Sequence, residues 1–447
     1  MLFCFGVFLA GVVACLVLGR SLIWALLLGL ALFSLLGLKK GFTPRQLAAM
    51  AWRQGRDSLI VVPVFLLIGM VTALWRASGT ISFFLYYGLE GLRPASFLLV
   101  AFLLSAVLSF ALGTCYGVTG TAGVVLITLA RSGGVDLAVT AGAILSGAYF
   151  GDRCSPMSSC ATLVAACTGT ELYKNVREML KTALLPTLLT VLAFGVLSRL
   201  YPIQRMDSVV LSALRENFDL HWTVLLPAVL MLVLPLAKVP VKWAMAASAA
   251  TAFVLTVALQ GLPVPEALRT AILGYAPRQA ELAGILSGGG LVSMVTSGAV
   301  VFITSLYAGI LEGIDALAPA KDWVERLSRR VGLFPAAVLV STAVVSVFCN
   351  QAVMVMIDAQ LLADSYEARG ASRTELAMDI ANSGVTIAGL VPWSIAITVP
   401  LSMLDVGTEA IPRCVLLYMI PLCYFFTKRF YQAGQNSPEK RKGLDRS

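Results

Sequence analysis

The stretch SGAYFGDRCSPMSS runs from Ser146 to Ser159, and NSGVTIAGLVPWS runs from Asn382 to Ser394. Both break long apolar surroundings with Gly, Pro, hydroxyl and amide residues. Gly and Pro unwind helices, and the backbone groups they free need partners where no water is present. Inside a bilayer such irregular backbone is tolerated only where it is buried in protein or lines a cavity. The two strings therefore read as broken membrane segments. The flanking sequence agrees. Hydrophobic residues make up 58% of the 447 and charged residues 13%, against roughly 45–50% and 25% in soluble domains. Apolar runs cover 1–18, 22–38, 58–75, 95–112, 182–197, 222–236, 242–259, 336–348 and 415–427. A helix needs about 20 such residues to cross, and with broken segments counted loosely the chain predicts about 10–13 crossings. The expected fold is an all-α polytopic membrane protein.

An internal repeat links the two strings. Gly88–Leu92 recurs as Ile310–Ile314, and Pro44 recurs as Pro265, at nearly the same offset in residue number. Ala106–Ser109 recurs as Ala343–Ser346, and Ser146-Gly147 as Ser383-Gly384, both at a second, larger offset. A single insertion near 318–332 accounts for the change of offset. The predicted organisation is N-terminal transmembrane helices over 1–41 and a first repeat over 42–170. Connecting helices over 171–262, a second repeat over 263–407, a last helix over 408–432 and a polar tail over 433–447 follow. Two inverted repeats with broken or re-entrant helices meeting near the midplane are a transporter architecture.

Charge supplies the expected topology. Of 33 Lys and Arg, clusters fall at 39–56, at 321–330 and from Lys428 onward, and positive loops face the cytoplasm. Both termini, 39–57 and 318–332 are thus expected inside. The segment 364–379 holds Asp364, Glu367, Glu375 and Asp379 against Arg369 and Arg373, and 364–376 is expected outside. The net charge of +9 is this loop bias and no nucleic-acid footprint. The N-terminus lacks a basic leader and a small-residue cleavage site, so it reads as a retained helix. The nine Cys sit mostly in apolar segments, with neither disulfide nor zinc spacing. His221 is the only His, which removes a His-based metal site or relay.

Asp152 is the sharpest candidate. An intramembrane carboxylate is costly and usually functional; the plainer alternative is a surface pair with Arg153 at a helix end. Around it, Ser155, Ser158, Ser159 and Thr162 in the first string, and Asn382, Ser383 and Ser394 in the second, are expected to converge. Unwound carbonyls and hydroxyls suit hard cations. Gly113, Thr114 and Cys115 match Asn350 and Gln351 in the other repeat, as substrate ligands or as bonds between helices. Glu90 and Glu312 correspond at helix ends, where a structural role is favoured.

At these residues the chain resembles the NhaC family of Na+/H+ antiporters, within the ion-transporter superfamily. The resemblance rests on ASGTISFFLYYGL from Ala77, SFALGTCYGVTGTAG from Ser109, GAYFGDRCSPMSS from Gly147, GGGLVSMV from Gly288, NQAVMVM from Asn350 and NSGVTIAGLVPWS from Asn382. The resemblance implies an inverted-repeat membrane fold and sodium- or proton-coupled exchange, with organic anions exchanged by wider relatives. The family pattern places Asp where this chain has Ser159 and Asn382, and Asn where it has Thr162 and Ser394. The expected site keeps Asp152 as its carboxylate and candidate Na+ ligand.

The expected function is a secondary active transporter, a Na+/H+ antiporter exchanging ions at the broken helices. Na+ and H+ are the transported ions, and no cofactor is expected. The alternative is a sodium- or proton-coupled carrier of a small organic solute or anion. An intramembrane enzyme would need a dyad or metal set on facing helices, and none is legible. Expected partners are the lipid bilayer and a small ion or small-molecule substrate, with a homodimer left open and no nucleic acid. The expected location is the plasma membrane, multi-pass. Asn382→Asp or Ser159→Asp is expected to strengthen cation binding.

Overall fold

The computed structural model describes residues 2–18, 20–58, 62–91, 94–202, 208–237, 239, 241–277, 279, 282–283, 286–314 and 320–435. The regular elements are helices, and the β pairing among the described residues is an isolated bridge between Tyr275 and Gly288. Helices α1 (Leu2–Val17) and α2 (Leu22–Lys39) pair through Phe8 and Phe33. They are followed by α3 (Pro44–Ser58), α4 (Val62–Ala77) and α5 (Thr80–Gly91). Next come α6 (Phe97–Leu112), α7 (Cys115–Val118), a π turn (Thr119–Gly123), α8 (Val124–Ser132), α9 (Leu137–Cys154) and α10 (Ser159–Thr168). Then α11 (Leu172–Leu200), α12 (Ser208–Asn217), α13 (Leu226–Leu236), α14 (Val241–Ala258) and α15 (Val264–Leu273) lead to α16 (Val295–Gly313). The chain closes with α17 (Ala320–Val331), α18 (Leu333–Phe348), α19 (Gln351–Glu367), α20 (Arg373–Asn382), α21 (Gly384–Ile387), α22 (Ile395–Leu404) and α23 (Val415–Gln435).

α11 is, among the described residues, the one helix long and apolar enough to cross a bilayer unaided. Its Leu184, Leu188, Leu192, Val196 and Leu200 recur every fourth residue and are 55–75% exposed. An outward apolar stripe of that length is a liability in water and the normal face of a helix in lipid. By contrast α6 and α18 have 16 residues each, about 24 Å of helix for a hydrocarbon core of roughly 30 Å. Both stop short and turn. α6 ends at Gly113 (φ 67°) and α18 at Cys349 (φ 54°), each in the left-handed conformation. Thr114 and Asn350 follow in extended conformation, and each caps the next helix with its side chain. The second turn makes a helical hairpin. Lys428 lies 5.9 Å from the ring of Phe334, at the start of α18, and 5.9 Å from that of Tyr366, at the end of α19.

Helix boundaries repeat at a constant spacing. The caps Ser96 and Gly332, Gly113 and Cys349, Thr114 and Asn350, Asp136 and Ser372, Ser158 and Ser394, and Gly169 and Asp405 all share one offset in residue number. The sequence matches over the same region ran one residue out of this register. Upstream, α5 ends at Gly91 and α16 at Gly313, at the smaller offset that relates Gly88 to Ile310. The increase falls between Gly313 and Gly332, where α17 lies. That segment was expected as a loop. It is largely an amphipathic helix, and 315–319 lie outside the described residues.

The expected separation of 318–332 from 364–376 is corrected. Lys321 pairs with Asp364 at 3.0 Å, and Arg369 donates to Ser328 O at 2.6 Å. Lys428 pairs with Glu375 at 2.9 Å. These segments share one end of the molecule, joined by the α18–α19 hairpin whose two ends lie together at Lys428. Lys40, which donates to Ile314 O at 2.8 Å, sits beside the end of α16. Asp379 was counted as a loop charge, yet it is fully buried within α20. Lys428 was counted in the tail, yet it lies on α23 against Asp379. The polar tail beyond 435 lies outside the described residues.

Candidate functional site

The turns after α6 and α18 meet the end of α9 around a cavity of about 330 Å³. Thr114, Cys115 and Tyr116 line it from the first turn, and Gln351 and Ala352 from the second. Cys160 and Ala396 line it from α10 and α22. Cys115 and Gln351, Tyr116 and Ala352, and Cys160 and Ala396 are related by the same offset as the helix caps, so equivalent positions of the two halves face one space. Asp152, Tyr149, Ser159 and Leu163 complete the wall. Tyr149 and Tyr116 are tied back, donating to Ala396 O at 2.7 Å and to Ile395 O at 3.4 Å.

Asp152 occupies the last turn of α9, half-buried. Its carboxylate shares the cavity wall with Cys115 and Gln351. Those are the first residues of α7 and α19. Asp152 is the one carboxylate in the cavity wall, with the hydroxyls of Thr114 and Ser159 on the same surface. Oxygen ligands around one negative charge suit a hard monovalent cation or a proton.

The surface pair with Arg153 is not formed. Arg153 is 1% exposed and turns away from the cavity. Its Nε donates to Ala381 O (3.1 Å), Nη1 to Met179 O (3.3 Å) and Cys154 Sγ (3.1 Å), and Nη2 to Thr182 Oγ1 (2.8 Å) and Asn382 Oδ1. These neutral acceptors clamp α9 to α20 and α11. Asn382 is thus committed to Arg153, and a carboxylate placed there would meet a guanidinium before any transported cation.

The other candidates divide by location. Ser158 and Ser394 cap α10 and α22, and Asn350 caps α19 by accepting from Ala352 and Val353 N–H. Ser155 donates to Phe110 O at 2.6 Å and holds the turn after α9. Gly113 lets that turn approach, since a Cβ there would collide with the Met157 backbone. Thr162 is exposed and bonds Ser158 O within its own helix. Ser383 donates to Asp379 O at 2.6 Å. Of these and the others named from sequence, the structure brings Thr114, Cys115, Asp152, Ser159 and Gln351 to the cavity. Glu312 is exposed, and the side chain of Glu90 lies outside the described residues.

Sequence reading passed over two buried carboxylates. Asp379 accepts from Tyr366 (2.5 Å), Tyr424 (3.0 Å) and Lys428. Asp358, in the middle of α19, is 0% exposed and accepts from Ser341 at 2.5 Å. Asp358 interrupts an apolar segment, and that was the available signal.

A relative described as a malate-2H+/Na+-lactate antiporter, from Bacillus subtilis (strain 168), is 29% identical over 98% of this chain and 96% of its own. The Na+/H+ antiporter NhaC of Alkalihalophilus pseudofirmus is 26% identical over 81% of this chain and 80% of its own. The arginine/ornithine antiporter ArcD of Halobacterium salinarum is 27% identical over 74% and 70%. The model of the Na+/H+ antiporter family matches residues 147–427, which hold the end of α9, both broken strings and the second hairpin. With that match over more than half its length, the chain belongs to the Na+/H+ antiporter family, a family of membrane-integral antiporters.

Proposed function

We propose that the Asp152 cavity is the exchange site of this antiporter, and that Na+ and H+ occupy it in turn. One observation carries the reading: a single carboxylate faces a cavity built from equivalent positions of both halves. Proton and Na+ claim the same oxygens, so binding of one displaces the other, which is the simplest antiport coupling.

The fold reading that goes with it is two inverted repeats with re-entrant hairpins. Two contacts support it. Gly169, at the end of α10, abuts Arg373, at the start of α20, its Cβ position 3.1 Å from Nη1. Arg131, near the start of α9, pairs with Asp405, at the end of α22, at 3.1 Å. The equivalent segments α9–α10 and α20–α22 therefore run in opposite directions, as halves related by an axis in the membrane plane would. Lys40, α17 and Lys428 gather basic residues at one end, which faces the cytoplasm with both termini.

Purified protein in proteoliposomes, with sodium and pH gradients imposed independently, tests the exchange. Proton efflux driven by inward Na+ is expected, and a folded Asp152→Asn protein that still exchanges at the wild-type rate refutes the site. A second reading adds a small organic carboxylate as the exchanged solute. The cavity volume of about 330 Å³ favours it, because one water-sized occupant needs only about 10–15 Å³ of such space. Malate or lactate inside the vesicles should then stimulate exchange; no response leaves the ion-only reading.

A further inference from the structure

We propose that Asp358, Ser341 and Ser383 form a second Na+ site, separate from the Asp152 cavity. Asp358 is 0% exposed on α19, and Ser341 donates to its Oδ2 at 2.5 Å. Its Oδ1 is buried and has no hydrogen-bond partner. No cation side chain pairs with it among the described residues. A buried carboxylate with one bond and no counter-charge is strongly unfavourable, so it holds either a proton or a bound cation.

The surroundings suit a hard monovalent cation. Ser341 Oγ stands 3.4 Å from Ser383 Oγ, so two hydroxyls and the carboxylate face each other across α18, α19 and the link between α20 and α21. That link is a helix break: Ser383 has φ −115° and ψ −84°. Interrupted helices offer carbonyls as well as hydroxyls to monovalent cations. By the offset of the helix caps, the equivalent place in the first half is Ser105, Ala122 and Gly147. There the hydroxyl of Ser105 is also buried without a partner, and no carboxylate is present.

The site is linked to the Asp152 cavity. Gln351, which lines that cavity beside Asp152, donates from Nε2 to Val385 O at 2.9 Å. Val385 belongs to α21, which starts right after Ser383. Movement of this short helix would be felt at both carboxylates. The proposal rests on the antiporter reading for its cation but not on Asp152.

Radiolabelled Na+ binding to purified full-length protein in detergent tests it, with folding followed by thermal melting. Asp358→Asn should halve the Na+ capacity per chain, and Asp152→Asn should remove the other half. Ser341→Ala should leave capacity intact and weaken affinity on the order of tenfold. A folded Asp358→Asn protein with full capacity and unchanged affinity overturns the second site while leaving Asp152 untouched. Loss of capacity in Asp358→Asn alone, with Asp152→Asn unchanged, upholds the second site and overturns the first. Should Asp358→Asn fail to fold, unchanged Na+ affinity in Ser341→Ala overturns the proposal.

Discussion

Gly147 and Ser383 hold the same place in the two halves, and the chain behaves differently around them. In the first half α9 runs unbroken to Cys154. Gly147 and Gly151, four apart on one face, bring it against α6: a Cβ at Gly147 would collide with Phe102 O, and one at Gly151 with the Ser109 backbone. Close helix packing through two small residues is the usual solution where lipid gives no hydrophobic drive. In the second half the equivalents are Ser383 and Ile387. α20 stops at Asn382, resumes for four residues as α21, and breaks again before Ser394. The first half is thus a rigid platform that delivers Asp152 to the cavity at a helix end. The second is divided and surrounds a buried carboxylate. Equivalent positions thus hold a continuous, closely packed helix in one half and irregular backbone in the other.

Substitutions can break or sharpen this contrast. The largest effect is expected at the platform's product: Asp152→Asn should reduce coupled exchange in proteoliposomes to background with the melting temperature preserved. Gly147→Ser writes the second-half residue into the first. It should push α6 from α9 and cost about 3 kcal/mol or more, seen as a large fall in melting temperature or lost expression; tolerance would show that the close packing is not required. Asn382→Asp should stabilise the protein by about 2 kcal/mol. The new carboxylate pairs with Arg153, so melting should rise while Na+ affinity stays unchanged, contrary to the gain in cation binding expected from sequence. The smallest effect is expected at Gly169→Ala. Its φ of 65° is shared by the equivalent Asp405 at 55°, so the fold tolerates a side chain there at a cost of about 1 kcal/mol, readable as a small melting shift with transport intact.

Topology adds a test of another kind. Single cysteines placed within 320–331 and 364–372 should label from the same face of the membrane in whole cells. Labelling from opposite faces would contradict the hairpin over 333–367.

Much was legible before any coordinates. Apolar run length and composition are local quantities, so they identify a membrane protein without knowledge of packing. Spaced matches such as Gly88–Leu92 with Ile310–Ile314 pointed to a duplication, and the Gly, Pro and hydroxyl content of 146–159 and 382–394 marked segments where helices end and restart. Asp152 stood out because an isolated carboxylate in apolar sequence is expensive. What the sequence could not decide was direction and partnership. An apolar run that turns at Cys349 reads the same as one that continues straight, so Asp364–Glu375 was expected apart from 318–332, with which it shares one end. Adjacent Asp152 and Arg153 look like an ion pair on paper, yet successive side chains point about 100° apart on a helix. One faces the cavity, and the other is clamped by Asn382 and Thr182. Asp358 and Ser341 are 17 residues apart in sequence and 2.5 Å apart in space. Only the folding of α18 against α19 brings them together, because hydrogen-bond partners in a buried site are fixed by tertiary packing and not by spacing along the chain.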